Sequence, residues 1–201
     1  MAHYGMVIDL GRCVGCQACT ASCKVENGTR PGIFWNRVLD REEGQYPNVQ
    51  RSFLPMPCMH CANAPCEKVC PTGATYKRGD GIVLVDYDKC IGCRYCQSVC
   101  PYGARFFGDS ADGYYGATLT PYEESAYAGH QVGVAEKCTF CVHRVDQGED
   151  PACVVTCAPR ARVFGDLDDP NSEVSKLIRG RGGEPLRPEL GTAPSVYYLS
   201  R

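Results

Sequence analysis

Sixteen cysteines fall into four groups of four along a 201-residue chain, and no other feature limits so sharply what the chain can become. The groups are Cys13, Cys16, Cys19 and Cys23; Cys58, Cys61, Cys66 and Cys70; Cys90, Cys93, Cys96 and Cys100; and Cys138, Cys141, Cys153 and Cys157. In the first three, a Cys-x-x-Cys pair is followed after a short gap by Cys-x-x-x-Cys. The fourth keeps both pairs and widens the gap between them. Cysteines three residues apart pair poorly with one another but readily share a metal centre, so a disulfide framework is a poor account of them. A zinc ribbon suits only the wide spacing of the fourth group, where it stands as the alternative; the triads Cys13/Cys16/Cys19 and Cys90/Cys93/Cys96 are unlike zinc ligands. Sixteen thiolates at four per cage predict four 4Fe-4S clusters, and a chain that spends so many residues on redox centres is expected to carry electrons.

The sequence repeats itself around these groups. Shifted by 77 residues, Met6-Val-Ile-Asp-Leu-Gly-Arg-Cys13 lies over Val83-Leu-Val-Asp-Tyr-Asp-Lys-Cys90, a short apolar strand running into a metal-binding turn. Shifted by 57, Cys100-Pro-Tyr-Gly-Ala-Arg-Phe-Phe-Gly-Asp109 lies over Cys157-Ala-Pro-Arg-Ala-Arg-Val-Phe-Gly-Asp166, and Cys70-Pro-Thr-Gly-Ala-Thr-Tyr is a shorter third copy. The units read as halves of bacterial ferredoxins, in which the fourth cysteine of a run ligates the other cluster.

The fold class predicted is therefore α+β, with two bacterial-ferredoxin-like domains of two 4Fe-4S clusters each, one inserted in the other, and long irregular connections. Residues 1–49 and 110–170 make the discontinuous outer domain, residues 50–109 the inserted one, and residues 171–201 a C-terminal tail with a short helix near Ser172 to Ile178. The crossing rule gives four interleaved ligand sets: Cys13, Cys16, Cys19 and Cys157; Cys138, Cys141, Cys153 and Cys23; Cys58, Cys61, Cys66 and Cys100; and Cys90, Cys93, Cys96 and Cys70. The crossings from Lys24 to Pro57 and from Ser110 to Lys137 hold Phe34, Trp35, Tyr114, Tyr115 and Tyr122, which either pave the cluster-rich core or face a partner.

Other residues bear on the same chemistry. Gly15 and Gly92 permit the tight turn inside a Cys-x-x-Cys loop. Arg12, Lys89, Arg94 and Lys137 adjoin ligands and offset cluster charge, unless they are solvated surface cations. His60 and His143 also adjoin cysteines, but sixteen thiolates leave them no vacancy to fill. Asp166, Asp168 and Asp169 read as a turn of solvated acids. No nucleophile triad, phosphate loop or dinucleotide fingerprint is evident, so no catalytic residue is expected.

The formal net charge is -2, which gives no reason to expect a nucleic-acid partner. The longest aliphatic stretch, Ile82 to Val85, is far short of the roughly 20 residues that span a bilayer, so no direct membrane span is expected. The start, Met1-Ala-His-Tyr-Gly, shows no secretory signal.

The segments Gly5-Met-Val-Ile-Asp, Cys58-Met-His-Cys61, Ala64-Pro-Cys66, Val69-Cys-Pro-Thr-Gly-Ala74, Cys138-Thr-Phe-Cys141, Pro151-Ala-Cys153 and Val163-Phe-Gly-Asp-Leu-Asp-Asp-Pro170 resemble the four-cluster iron-sulfur (beta) subunits of molybdopterin oxidoreductases of the dimethyl sulfoxide reductase superfamily. The polysulfide, thiosulfate, tetrathionate and respiratory arsenate reductase types are the nearest in motif. Where nitrate-reductase-type relatives carry a Trp and a 3Fe-4S centre, this chain has Cys93. The resemblance implies a non-catalytic subunit that relays electrons between a molybdenum or tungsten bis-pterin catalytic subunit and an integral membrane quinone/quinol subunit, in anaerobic respiration of a sulfur compound or arsenate. It further implies membrane association through partners, on the extracytoplasmic face after co-export with the catalytic subunit; a cytoplasmic location is the alternative. Two rivals stand beside this reading: a free-standing polyferredoxin shuttle, and the electron-input subunit of a hydrogenase or formate dehydrogenase complex.

Overall fold

The computed structural model describes residues 2–200. Strand β1 (Tyr4–Asp9) buries Met6, Val7 and Ile8, and its closing Asp9 accepts the amides of Gly11 and Arg12 to turn the chain into the Cys13 loop. Helix α1 (Ala18–Glu26) carries Cys19 and Cys23 on one buried face, as their four-residue separation requires. The first crossing is not irregular. It folds into a hairpin of β2 (Arg37–Gln45) and β3 (Asn48–Met56), paired antiparallel from Arg37 opposite Met56 to Gln45 opposite Asn48. Both strands are largely exposed and charged toward the turn, so neither shows the half-apolar alternation that marks a strand in sequence.

Around the second and third cysteine groups lie α2 (Pro65–Lys68), β4 (Thr75–Lys77), β5 (Val83–Val85) and α3 (Tyr95–Ser98). Strands β4 and β5 form a hairpin, and α2 packs on α3. After β6 (Phe106–Phe107) the second crossing also acquires structure in α4 (Pro121–Ala126), then returns as β7 (Ala135–Glu136), antiparallel to β6. A capping box starts α4: the Thr120 hydroxyl accepts the Glu123 amide while the Glu123 carboxylate accepts the Thr120 amide, and Pro121 sits where no amide is needed.

The fourth group is held by α5 (Val142–Val145) and α6 (Ala152–Val155), with α6 packed on α1, and leads into β8 (Arg162–Asp166), antiparallel to β1.

The last thirty residues are more than a surface wrap. Helix α7 (Glu173–Arg181), capped by the Ser172 hydroxyl and ended by Gly182 in the left-handed conformation, is followed by β9 (Glu184–Pro185) and β10 (Val196–Leu199). Strand β10 enters the main sheet, parallel to β1, in the order β8-β1-β10-β9. Its apolar Val196 and Leu199 are fully buried, and burying each aliphatic side chain contributes about 1.5–3 kcal/mol, so a stretch rich in Gly and Pro at both ends still secures itself in the core.

The core itself mixes cysteines with Met6, Ile8, Ile33, Trp35, Met59, Phe140 and Tyr198. A smaller cluster of Val7, Val174 and Leu199 lies under α7. Among the described residues, no helix is long and apolar enough to cross a membrane.

Candidate metal centres

The fold gathers the cysteines across the chain order. Cys13, Cys16, Cys19 and Cys157 line one cavity, together with Gly15 and Arg162. Cys58, Cys61, Cys66 and Cys100 line another, with Met59, Tyr102 and Arg105. Cys23 lies near Cys138, Cys153 and Cys141, and Cys96 near Cys90 and Cys93. Helix α2 leads to Cys70 and packs on α3, which holds Cys96.

Local geometry prepares these sulfurs to be held as anions. Where the chain turns after a fourth cysteine, a backbone N–H points back at the sulfur: Ala104 to Cys100 at 3.4 Å, Ala161 to Cys157 at 3.2 Å and Thr75 to Cys70 at 3.4 Å. Cys23 sits inside α1 and lacks that turn; the Asn27 side chain donates to it at 3.6 Å and to Cys141 at 3.8 Å. As thiols, Cys61, Cys138 and Cys153 hold their protons more tightly than a free cysteine does. Burial first, then repulsion from neighbouring sulfurs, pushes Cys61 and Cys138 up to about 12 and Cys153 to about 11. Binding a soft, positively charged iron centre replaces those protons. In the set of Cys13, Cys16, Cys19 and Cys157, and again in that of Cys58, Cys61, Cys66 and Cys100, the four cysteines line a shared cavity, as a cage would require.

The four Cys-x-x-Cys loops divide into two kinds. In Cys13-Val-Gly15-Cys16 and Cys90-Ile-Gly92-Cys93 the glycines have φ of 67° and 69°, Val14 and Ile91 are 61% and 67% exposed, and Cys16 and Cys93 are exposed. In Cys58-Met-His60-Cys61 and Cys138-Thr-Phe140-Cys141 the same position is filled by His60 and Phe140, with φ of 44° and 55°. Their rings are buried and stacked with centroids 3.7 Å apart. The four cysteines of these inner loops are all buried.

The cations predicted beside the ligands also divide. Arg12, Lys89 and Arg94 are more than half exposed and paired to Asp9, Asp86 and Asp109. Lys137 is buried, donating to the carbonyls of Val83 and Cys138. Burial pulls its pKa down, while the sulfur of Cys58 works the other way.

Two buried cations were not singled out from sequence. Arg105 donates to the Cys66 sulfur at 2.8 Å, and Arg162 reaches Cys153 at 3.7 Å and Cys19 at 3.5 Å. The signal was present, since both stand five residues after a fourth cysteine and coincide in the 57-residue repeat.

The remaining candidates have structural roles. His60 Nδ1 accepts the Val83 amide at 3.1 Å, which leaves the proton on Nε2, and burial holds its pKa well below the ordinary value. His143 bonds Glu26 at 2.8 Å. Asp166 accepts the amides of His3 and Asp168, and Asp169 that of Asn171, so these acids organise a turn. Trp35 paves the core and donates to Glu136 at 3.2 Å, whereas Tyr114, Tyr115 and Tyr122 are exposed.

Cysteines gathered in this way, with backbone amides and buried cations turned toward their sulfurs, are the donor set of an iron-sulfur protein, and the 4Fe-4S dicluster domain family matches residues 49–116 and 115–167. The chain is 49% identical over 97% of its length to the B subunit of the selenate reductase of Mesobacillus selenatarsenatis, covering 71% of that protein. It is 44% identical over 98% of its length to the arsenate respiratory reductase iron-sulfur subunit of a Shewanella species, covering 96% of it. With the B subunit of the tetrathionate reductase of Salmonella typhimurium it shares 43% identity over 98% of its length and 72% of that protein. The chain belongs to the iron-sulfur B subunits of dimethyl sulfoxide reductase-family enzymes, non-catalytic electron-transfer subunits that bind 4Fe-4S clusters.

Proposed function

We infer that the chain relays single electrons through four 4Fe-4S clusters between a molybdenum or tungsten bis-pterin catalytic subunit and a membrane quinone/quinol-handling subunit, in respiration of a sulfur compound or arsenate. The ligand sets are Cys13, Cys16, Cys19 and Cys157 for the first site; Cys138, Cys141, Cys153 and Cys23 for the second; Cys58, Cys61, Cys66 and Cys100 for the third; and Cys90, Cys93, Cys96 and Cys70 for the fourth. They imply two ferredoxin-like units, residues 50–109 being inserted between residues 1–49 and 110–170.

The observation that carries the reading is the neighbourhood of the cysteines. Cys23 is near Cys138 and Cys153, and Cys157 shares a cavity with Cys13 and Cys16. Neighbours also support an order of the sites. Cys153 lies near Cys19, Cys138 near Cys58, and Cys96 near Cys66, so the first and fourth sites, whose loops expose Cys16 and Cys93, are the two ends. The clusters, when bound, supply one-electron chemistry. The protein holds them, spaces them and sets their surroundings.

Placement on the extracytoplasmic face, with the catalytic subunit as the exported partner, rests on the resemblance alone. Protease accessibility in intact cells and in spheroplasts tests it.

The central test is chemical. The purified, oxygen-free chain should contain iron and acid-labile sulfide for four cubanes, be reducible by dithionite and reduce no oxyanion or sulfur substrate until a molybdenum- or tungsten-containing subunit is added. Steady turnover by the chain alone, or a structure with Cys13 and Cys23 on one cluster, overturns the reading.

A further inference from the structure

Three buried cations stand where consecutive sites meet. Arg162, 3% exposed, lies between Cys19 of the first site and Cys153 of the second. Lys137, 1% exposed, lies by Cys138 of the second and Cys58 of the third. Arg105, 2% exposed, bonds Cys66 of the third, and Cys96 of the fourth is its neighbour. Among the described residues, none of the three pairs with a carboxylate, in contrast to the surface cations Arg12, Lys89 and Arg94.

A buried charge without a counter-charge is costly. The countercharge available here is the thiolate-ligated sites themselves. An arginine keeps its proton under all relevant conditions, and Lys137 is held as a donor by two carbonyls.

We propose that Arg162, Lys137 and Arg105 are positioning charges that offset the cost of adding negative charge to the clusters they flank, raising the potentials of both neighbours so that adjacent sites can hold electrons at the same time. The inference rests on the ligand sets proposed above. Each transfer oxidises one site by one electron and reduces its neighbour by one, with no bond made or broken and no proton required from these side chains. Reduction adds a negative charge to a site. A fixed positive charge in the gap favours the reduced form on both sides, and low-dielectric surroundings strengthen that effect. Because the field falls off with distance, each cation acts chiefly on its own two flanking sites.

The experiment is an EPR-monitored redox titration of the cluster-loaded full chain as wild type, Arg162→Gln, Arg162→Lys, Arg105→Gln, Arg105→Lys, Lys137→Gln and Lys137→Arg. At a fixed ambient potential, each glutamine variant should raise the oxidised-to-reduced ratio of its two flanking sites about tenfold, equivalent to about 59 mV for one electron. The remote sites should barely move, and the arginine-to-lysine variants should stay near wild type. Should a glutamine variant fail to load, loading and near-wild-type potentials in the charge-keeping variant of the same residue (lysine for the two arginines, arginine for Lys137) support a charge role; loss of loading in both overturns it in favour of a purely steric one. Variants that load fully with unchanged potentials, or that shift all four sites equally, also overturn it. A wild-type chain whose clusters prove to be ligated differently refutes the ligand reading instead, so the two failures are distinguishable.

Discussion

The outer and inner Cys-x-x-Cys loops solve one backbone problem in two ways. All four need a positive φ just before their second cysteine. Gly15 and Gly92 supply it at the surface, where a side chain would strike Phe53 or the Gly133 carbonyl. His60 and Phe140 adopt it inside, although left-handed backbone costs a non-glycine residue about 1–2 kcal/mol. Burying a ring returns about 1.5–3 kcal/mol and a stacked pair about 0.5–1.5 more, so packing in the seam between the second and third sites outweighs the strain. The outer loops use glycine because a neighbour already occupies the space a side chain would need, whereas the inner loops have to provide both the turn and the core.

If that division is real, loss of iron should proceed from the outside inward. A chelator at neutral pH should first remove the EPR signals of the sites at Cys16 and Cys93, with far-UV circular dichroism largely retained. Loss of the inner pair should then collapse the fold, because cysteines such as Cys138 and Cys153 are part of the core and metal binding is coupled to folding. A native-like spectrum after complete removal of iron, or inner sites lost first, breaks the comparison.

Ligand substitution separates the two kinds next. Cys93→Trp removes one exposed ligand and should convert a single cubane to a 3Fe-4S centre, leaving the other three and the fold intact. Cys138→Ser removes a buried ligand and should cost its cluster and most of the soluble yield. Low-temperature EPR with iron analysis tests the pair. A folded Cys93→Trp protein with no 3Fe-4S signal removes Cys93 from the ligand set.

These contrasts also show what could be read without coordinates. The repeat around the cysteine groups announced the strands before Cys13 and Cys90, because a repeated unit leaves its mark on adjacent residues. The hairpin from Arg37 to Met56 was missed because its pairing satisfies backbone groups while most side chains toward its turn face water, only the base, with Val38, Leu54 and Met56, packing on the core. Helix α4 was legible in Thr120-Pro-Tyr-Glu123, a capping box passed over inside what read as a crossing. Strand β10 was hidden for a different reason: its place beside β1 is a contact between the two ends of the chain, and no local pattern specifies such a partner. Arg105 and Arg162 were visible only as a coincidence in the repeat, since burial is what distinguishes them from any other arginine.

Packing offers a sharper and smaller test. Phe140→Ala should destabilise the loaded chain by about 3 kcal/mol, the usual cost of deleting a buried phenyl ring. Val14→Ala and Ile91→Ala, at the outer loops, should stay within about 0.5 kcal/mol. Oxygen-free thermal melts of the three variants give the order. Equal losses at inner and outer loops would mean that the stacked rings of His60 and Phe140 are incidental to the seam.

The smallest expected effect separates the two outer loops from each other. Each is preceded by an acid three residues before a base, Asp9 with Arg12 and Asp86 with Lys89. Asp86 is held below its ordinary pKa by the Lys89 hydrogen bond; it is partly exposed and Lys89 is more than half exposed, and such surface pairs contribute little. Asp9, at the end of β1, is buried. Burial pushes its pKa up, but the Arg181 hydrogen bond and charge, with the amides of Arg12 and Gly11, win and depress it. A depressed carboxyl contributes stability that is fully present above its unfolded value, near 3.9, and is lost as pH falls through the folded value. Asp9→Asn should therefore lower the melting midpoint by a few degrees at pH 7, corresponding to about 1.5 kcal/mol for a charged hydrogen bond. That gap should hold down to about pH 5 and narrow below about pH 4 as wild-type Asp9 begins to protonate. Asp86→Asn should scarcely move the midpoint at either pH. A gap that widens on acidification, or an Asp86→Asn effect as large as that of Asp9→Asn, would show that the C-terminal segment, through Arg181, does not anchor the first loop more firmly than the fourth site's loop is anchored.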